Sequence, residues 1–472
     1  MSFTRRSFII SAGAGASLLV LTACTDTPPS PTPAPTPTPT SSVPTPTSLQ
    51  RSNWSNDPLA MGAVSFLPPG ATPLHRENLA QNVIDRVFFA GEATADEPST
   101  VRGARSSGAR AAGEVFALVG EGERIAVIGA GAAGAECARR LSAFGIDVVV
   151  LEARDRTGGR IHSTKAEEGQ FSELGAWRLG LDSDAEIIAA LERLDVARSA
   201  TTGPDLMRDP DSGAEVLTPA GITPTNTAGA RAVSTAVEWA VMQVADSTLA
   251  DALDTSGARS TAAAANQGDL VGEALLEQYL RGLAVETGAE ASALSAWFTP
   301  PQVPEERALV TGAFVTLVDD DLEGIETFLS TAVLGISYDD DRVSLRLGTG
   351  ESLSVDRVVV TVPLGVLKAS AITFSPLLPF GHRAAINAIS VGAIELVKVT
   401  FDEPFWTTDA TTWGLVGTDE LITSWVNLLP VTGEAALVGV VGGDAAIALA
   451  GLTENELAEL VSSSLEPFAD NA

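Results

Sequence analysis

The stretch RIAVIGAGAAGAECARRLSAFGIDVVVLEAR, Arg124–Arg154, decides the fold. It opens with a short apolar run, Ile125–Ile128, that reads as a buried strand, and breaks at Gly129, Gly131 and Gly134, spaced G-x-G-x-x-G. In such a turn the first glycine permits the tight bend, the second lets backbone approach a diphosphate, and the third lets helix and strand pack closely. The helix that follows aims its unpaired N–H groups at the turn and makes an anion site. A second strand, Asp147–Leu151, leads to Glu152, where a carboxylate can take ribose hydroxyls. Strand, glycine turn, helix, strand and acid together predict an α/β chain with a Rossmann-like dinucleotide-binding domain on a mixed, mainly parallel sheet.

The rest of the chain is long enough for a second domain. Its 472 residues are 45% hydrophobic, with positive mean hydropathy, so the core is large. Sixty acidic residues against 29 basic ones give a formal charge of −31, which argues against nucleic acid or anionic lipid as partners and reads either as a solubilising surface on an exported protein or as an attraction for cationic small molecules. Residues 1–24 read as a targeting leader: TRRSFII, Thr4–Ile10, carries a twin-arginine pattern, and the apolar run to Ala23 is short for a membrane span. The leader ends in Leu21, Thr22, Ala23 and Cys24, a lipobox pattern. Export by the twin-arginine route and a lipid anchor at Cys24, on the outer face of a bacterial cytoplasmic membrane, are therefore expected. Residues 25–48, rich in Pro and Thr, read as an extended tether. The other cysteine, Cys137, lies in the helical pattern after the glycine turn and reads as a small buried hydrophobe, so no disulfide framework is possible. His75, His162 and His382 show no metal-ligand spacing, and no metal is expected.

LEARDRTGGRIHS, Leu151–Ser163, extends the acid with Arg154, Gly158, Gly159 and Arg160. This E-x-R-x-R-x-G-G-R run resembles the flavin amine oxidase family of monoamine, polyamine and L-amino acid oxidases, in which it marks FAD. Basic side chains and flexible glycines beside a diphosphate supply charge pairing and close backbone approach. Val358–Trp406 looks like that family's border with the substrate domain, and the strand around Val333 like the one facing adenine. The resemblance implies a fold of amine oxidase type, an FAD domain beside an α+β substrate domain. Residues 49–120, 121–183 and 303–370 would form the FAD domain, 184–302 the helical part of the substrate domain, and 371–472 its sheet and C-terminal helix.

One feature is out of order. VFFAGEATADEPSTVRGARSSGARAAGEV, Val87–Val115, resembles the segment that closes the chain in this family, after a Trp-x-x-Asp-Pro run. Here that run, RSNWSNDP from Arg51, and the closing segment both precede the glycine turn. A circular permutation is expected, with residues 49–118 supplying the last elements of the FAD domain through Gly120–Arg124. On the resemblance, Gly91 and Glu92 lie against the cofactor, and Thr100 and Val101 begin a helix aimed at the flavin.

The resemblance implies oxidation of a C–N bond in a mono- or polyamine, with hydride transfer to flavin, imine hydrolysis and reduction of O2 to H2O2. FAD would be non-covalent, because Ala63 stands where mammalian monoamine oxidases carry the flavin-linked cysteine. Trp54, Thr100, Arg178 and Lys398 are the candidate catalytic residues. Val64 and Thr100 replace the two aromatic rings of monoamine oxidases. Leu396 replaces a water-holding lysine, for which Lys398, two residues along the same side of a strand, is the candidate substitute. Arg178, in ELGAWRLG, matches an arginine that clamps the substrate carboxylate in L-amino acid oxidases, which keeps an amino acid open as substrate. Leu396 and Val64 also leave open an accessory FAD-binding lipoprotein without oxidase turnover.

Overall fold

A computed structural model describes residues 41–165, 170–201, 205–210, 213, 215, 227–266, 271–300 and 306–469; the leader, Cys24 and most of the tether lie outside them. Arg124–Ile128 is the middle strand of a five-stranded sheet, ordered Glu326–Phe328, Asp147–Leu151, Arg124–Ile128, Arg357–Val360, Val87–Phe89. Every neighbouring pair is parallel. Ile125 and Val127 face one apolar layer, with the helices Val101–Phe116 and Ala132–Ala143, while Ala126 and Ile128 face another, with the sheet residues Val333, Ile336 and Leu345. Cover on both faces is why these strands are written as unbroken apolar runs and not as alternating ones.

Val87–Phe89 thus lies in the sheet that holds the glycine-turn strand, at its edge, although it comes earlier in the chain. Helix Val101–Phe116 packs on helix Ala132–Ala143 so tightly that a Cβ at Gly108 would overlap the Ala133 carbonyl. Small residues there let two helices share one face of the sheet.

The second large sheet has six strands, in the order Ser48–Arg51, Ile394–Thr400, Ala436–Gly442, Ser424–Asn427, Thr412–Leu415 and Asp205–Arg208. Ser48–Arg51 runs antiparallel to Val397–Thr400, so the start of the expected 49–120 unit belongs to this sheet and not to the cofactor sheet. The tether also ends earlier than residue 48. Val43 is buried in an apolar cluster with Phe401 and Trp406, Ser42 donates its N–H to both Glu466 oxygens at 3.0 and 3.1 Å, and Thr47 donates to the Thr400 carbonyl at 2.8 Å. These contacts bring residues 41–43 beside the last described helix turn, Glu466–Phe468. The helices Ala228–Ala240, Leu249–Thr255, Ala258–Ala263 and Gly272–Thr287 occupy much of the expected helical region, though two strands, Arg198–Ala200 and Asp205–Arg208, also fall within it.

The expected membrane partner does not stand. The cysteine that the structure places, Cys137, is fully buried, and burial pushes its thiol up to about 12, so no cysteine among the described residues can carry a surface lipid. No described helix is long and apolar enough to cross a membrane.

Candidate active site

A cavity of about 510 Å³ opens at the C-terminal ends of Arg124–Ile128, Asp147–Leu151 and Arg357–Val360 and runs toward Leu396 and Val440 of the six-stranded sheet. In an open parallel sheet this end is where ligands bind. Gly129, at φ 108°, turns the chain out of the strand, and helix Ala132–Ala143 starts from Gly131 as its cap. A Cβ at Gly131 would meet nothing nearer than 3.8 Å, whereas one at Gly134 would stand 1.9 Å from the Gly129 carbonyl oxygen. The second glycine therefore leaves room for a ligand and the third permits packing.

Glu152 accepts from the Ala130 N–H and the Arg154 N–H, both at 2.8 Å, which fixes its two oxygens at the rim of the turn with lone pairs left for hydroxyl donors. Arg154 is held by Asp57 at 2.7 Å. Arg160 bridges the Ala63 carbonyl at 2.7 Å and Glu92 at 3.1 Å. Burial alone would raise the Glu92 carboxyl, but Arg160, the Ser65 hydroxyl and Arg76 outweigh it and hold it below the usual range. Gly158 and Gly159 both take positive φ beside the turn, and Val333 and Leu334 close the far end of the cavity. An open glycine cradle, a helix N-terminus, an acid for ribose and two arginines fit the adenine, diphosphate and ribose of FAD. No metal cluster occurs among the described residues.

Among the residues singled out from sequence, Gly129, Gly131, Glu152, Arg154, Gly158, Gly159, Arg160, Val333, Gly91, Glu92, Thr100, Val101, Trp54 and Arg178 all line this cavity. Gly134 lies behind it. Thr100 spends its hydroxyl on structure: the oxygen accepts from the Gly103 N–H at 2.9 Å and caps helix Val101–Phe116. Trp54 donates its indole N–H to the Leu174 carbonyl at 2.9 Å and has the Arg154 guanidinium 6.0 Å from its ring. His162 meets the Trp54 ring edge-on; burial, with Arg156 and Arg154 nearby, lowers it to about 4, so it is neutral near pH 7.

Lys398 is the correction. It follows Leu396 by two residues, about 7 Å along the strand, and the side chain turns into a second cavity of about 410 Å³, where its ammonium pairs with Glu434 at 3.0 Å. Leu396 lines the cofactor cavity and Lys398 does not, while Trp177 lines both cavities. Lys398 does not stand where the missing lysine would, because the half-buried Glu434 carboxylate holds its ammonium in the second cavity.

Arg178 lies on the cavity wall with its guanidinium 5.3 Å from the Trp177 ring. Burial lowers it to about 10; Glu286 opposes the shift and Arg307 adds to it. Glu286 and Arg307 pair with each other at 2.6 Å. Neither was singled out from sequence, since 21 residues and a change of element separate them. Asp57 could have been, as the acid of the Trp-x-x-Asp-Pro run.

The chain matches the family described as flavin containing amine oxidoreductase over residues 35–116 and 132–471. It is 28% identical over 370 residues to polyamine oxidase 3 of Oryza sativa subsp. japonica, covering 73% of each chain. It is 27% identical over 292 residues to lysine-specific histone demethylase 1B of Mus musculus, covering 60% of this chain and 35% of the other. A solved structure of putrescine oxidase with putrescine bound superposes with a TM-score of 0.56 at 18% identity, over 74% of this chain and 81% of that one. With the cofactor cradle in place, these matches make the chain a member of the flavin-containing amine oxidoreductase family, an enzyme that oxidises an amine C–N bond with non-covalently bound FAD.

Proposed function

We propose that the amine this enzyme oxidises carries a carboxylate, as an amino acid does, and that Arg178 holds it. Bound FAD supplies the two-electron acceptor. Four other charges on the cavity wall are paired, Glu92 by Arg160, Arg154 by Asp57, Asp184 by Arg102 and Glu286 by Arg307, and Glu152 is held by two backbone N–H groups. The Arg178 side chain makes no hydrogen bond or ion pair among the described residues, is desolvated beside the Trp177 ring, and at about 10 stays protonated near pH 7. A cation partly withdrawn from water without an ion-pair partner is costly, and a carboxylate can relieve that cost through two parallel hydrogen bonds. Ile394, Leu396 and Val440 line the apolar side of the cavity, where they exclude water from the C–N bond.

The test is anaerobic bleaching of the bound flavin by L-amino acids, primary amines and polyamines in turn. L-Amino acids should bleach it, and Arg178→Ala should lower kcat/KM for them by about 10²-fold or more, the scale of a lost charged bidentate contact. Bleaching by amines alone, unchanged in Arg178→Ala, would overturn the reading. A polyamine substrate is the second reading. The −31 charge and the names of the relatives favour it, and Glu286 would then take an ammonium group. Under it, polyamines bleach the flavin and Glu286→Gln weakens their binding. In either reading O2 is the final electron acceptor, with H2O2 measured as product.

We also infer that the chain order is rotated relative to the family. The place of Val87–Phe89 in the cofactor sheet and the meeting of residues 41–43 with Glu466 support this. A chain rearranged to begin at Gly122, with residues 41–121 joined after residue 472, should fold and bind FAD; an insoluble or flavin-free product would count against it. Twin-arginine export of the folded, FAD-loaded chain rests on TRRSFII, and changing Arg5 and Arg6 to Lys should leave the enzyme in the cytoplasm.

A further inference from the structure

Glu395 is fully buried next to Leu396, on the opposite side of the strand from the cofactor cavity. Its two oxygens take four hydrogen bonds, all from Ser52–Ser55. One oxygen accepts from the Ser52 hydroxyl at 2.5 Å and the Trp54 N–H at 3.1 Å, and the other from the Ser55 N–H at 2.9 Å and the Ser55 hydroxyl at 2.8 Å. Ser52 also clasps Leu396 itself: its N–H donates to the Leu396 carbonyl at 2.9 Å, and its hydroxyl accepts from the Leu396 N–H at 2.8 Å. The same short segment places the Trp54 ring on the cofactor cavity and ends at Asp57, which holds Arg154.

We propose that Glu395 is a positioning residue for the cofactor site, the anchor of a latch, Ser52–Asp57, that sets Leu396, Trp54 and Arg154 around FAD. The segment has no disulfide and little regular structure of its own, so its shape rests on acceptors supplied from outside. A carboxylate suits the position because each oxygen faces a backbone N–H that cannot reverse its direction. An amide of the same size would turn its NH2 against one of those donors and leave it unsatisfied. The inference rests on the cofactor cavity and not on the choice of substrate, because FAD binding is measured without any amine.

The experiment compares Glu395→Gln with the parent chain for FAD dissociation constant, visible spectrum of the bound flavin, and protease cleavage between residues 44 and 62. The expected result is about tenfold weaker FAD binding, the scale of one buried donor left unpaired, with an altered flavin spectrum and faster cleavage. Unchanged affinity and an unchanged spectrum in a folded Glu395→Gln would overturn the proposal. Should that variant fail to fold, Ser52→Ala/Ser55→Ala removes the hydroxyl partners and keeps both backbone ones. It should weaken FAD about threefold, as expected for modest neutral hydrogen bonds, and FAD affinity equal to the parent's would overturn the proposal.

Discussion

Gly134→Ala tests the packing half of the glycine turn. The added Cβ would stand 1.9 Å from the Gly129 carbonyl oxygen and 2.9 Å from the Thr361 hydroxyl oxygen. A carbon and a carbonyl oxygen normally sit no closer than about 3.3 Å, so helix Ala132–Ala143 must move by more than an ångström or the turn must open. Overpacking of this kind costs about 1–3 kcal/mol, and carrying the helix N-terminus away from the diphosphate removes up to about 1 kcal/mol more. At 1.4 kcal/mol per factor of ten, the FAD dissociation constant should rise by roughly 5- to 700-fold. The assay is titration of apoprotein with FAD by flavin fluorescence, alongside thermal unfolding. Gly113→Ala is the internal control: it lies on the exposed side of the neighbouring helix Val101–Phe116, where a Cβ would meet nothing within 4 Å. That change should leave FAD binding alone and stabilise the helix by roughly 0.5–1 kcal/mol. Parent-like FAD affinity in Gly134→Ala would refute the reasoning, because it would mean the helix is not held against the turn at that point.

Two further outcomes follow from buried charges. Burial raises Glu173 to about 7, against the lowering effect of the Ser163 hydroxyl and of the Phe314 N–H, which donates to one carboxyl oxygen at 3.1 Å. A folded pKa above the unfolded one means stability that is present below about pH 4.5 and lost as pH rises toward 7, up to roughly 3 kcal/mol in all. Glu173→Gln should flatten that slope in urea unfolding measured from pH 4 to 8, and an unchanged slope would assign it to another group. Lys398→Met should destabilise the fold by about 1–3 kcal/mol, because it leaves the half-buried Glu434 without its cation, yet leave amine-driven flavin reduction nearly unchanged. A fall of about a hundredfold in reduction rate, the scale of a lost acid–base group, would return Lys398 to the chemistry.

Arg124–Arg154 by itself determined the cofactor half of the protein. Glycine spacing and an acid after the second strand are local rules of backbone geometry, and Gly129, Gly131 and Glu152 occupy the places those rules assign. The out-of-order segment at Val87 was legible too, because a strand's apolar run and its small-residue helix keep their pattern wherever they occur in the chain. Only the tertiary structure decided the substrate side. Alternation along a strand gives the face of Lys398 but not how far it lies from the cofactor, and Glu434, brought in by the turn after Leu429–Thr432, drew it into another cavity. Glu286 with Arg307, and Glu395 with Ser52–Ser55, are pairings across tens to hundreds of residues, and no periodicity encodes them. Charges in a buried site are matched or left unmatched by packing. Arg178 is the case in point: its type was visible in the sequence, but that it has no ion pair among the described residues became visible only from the walls around it.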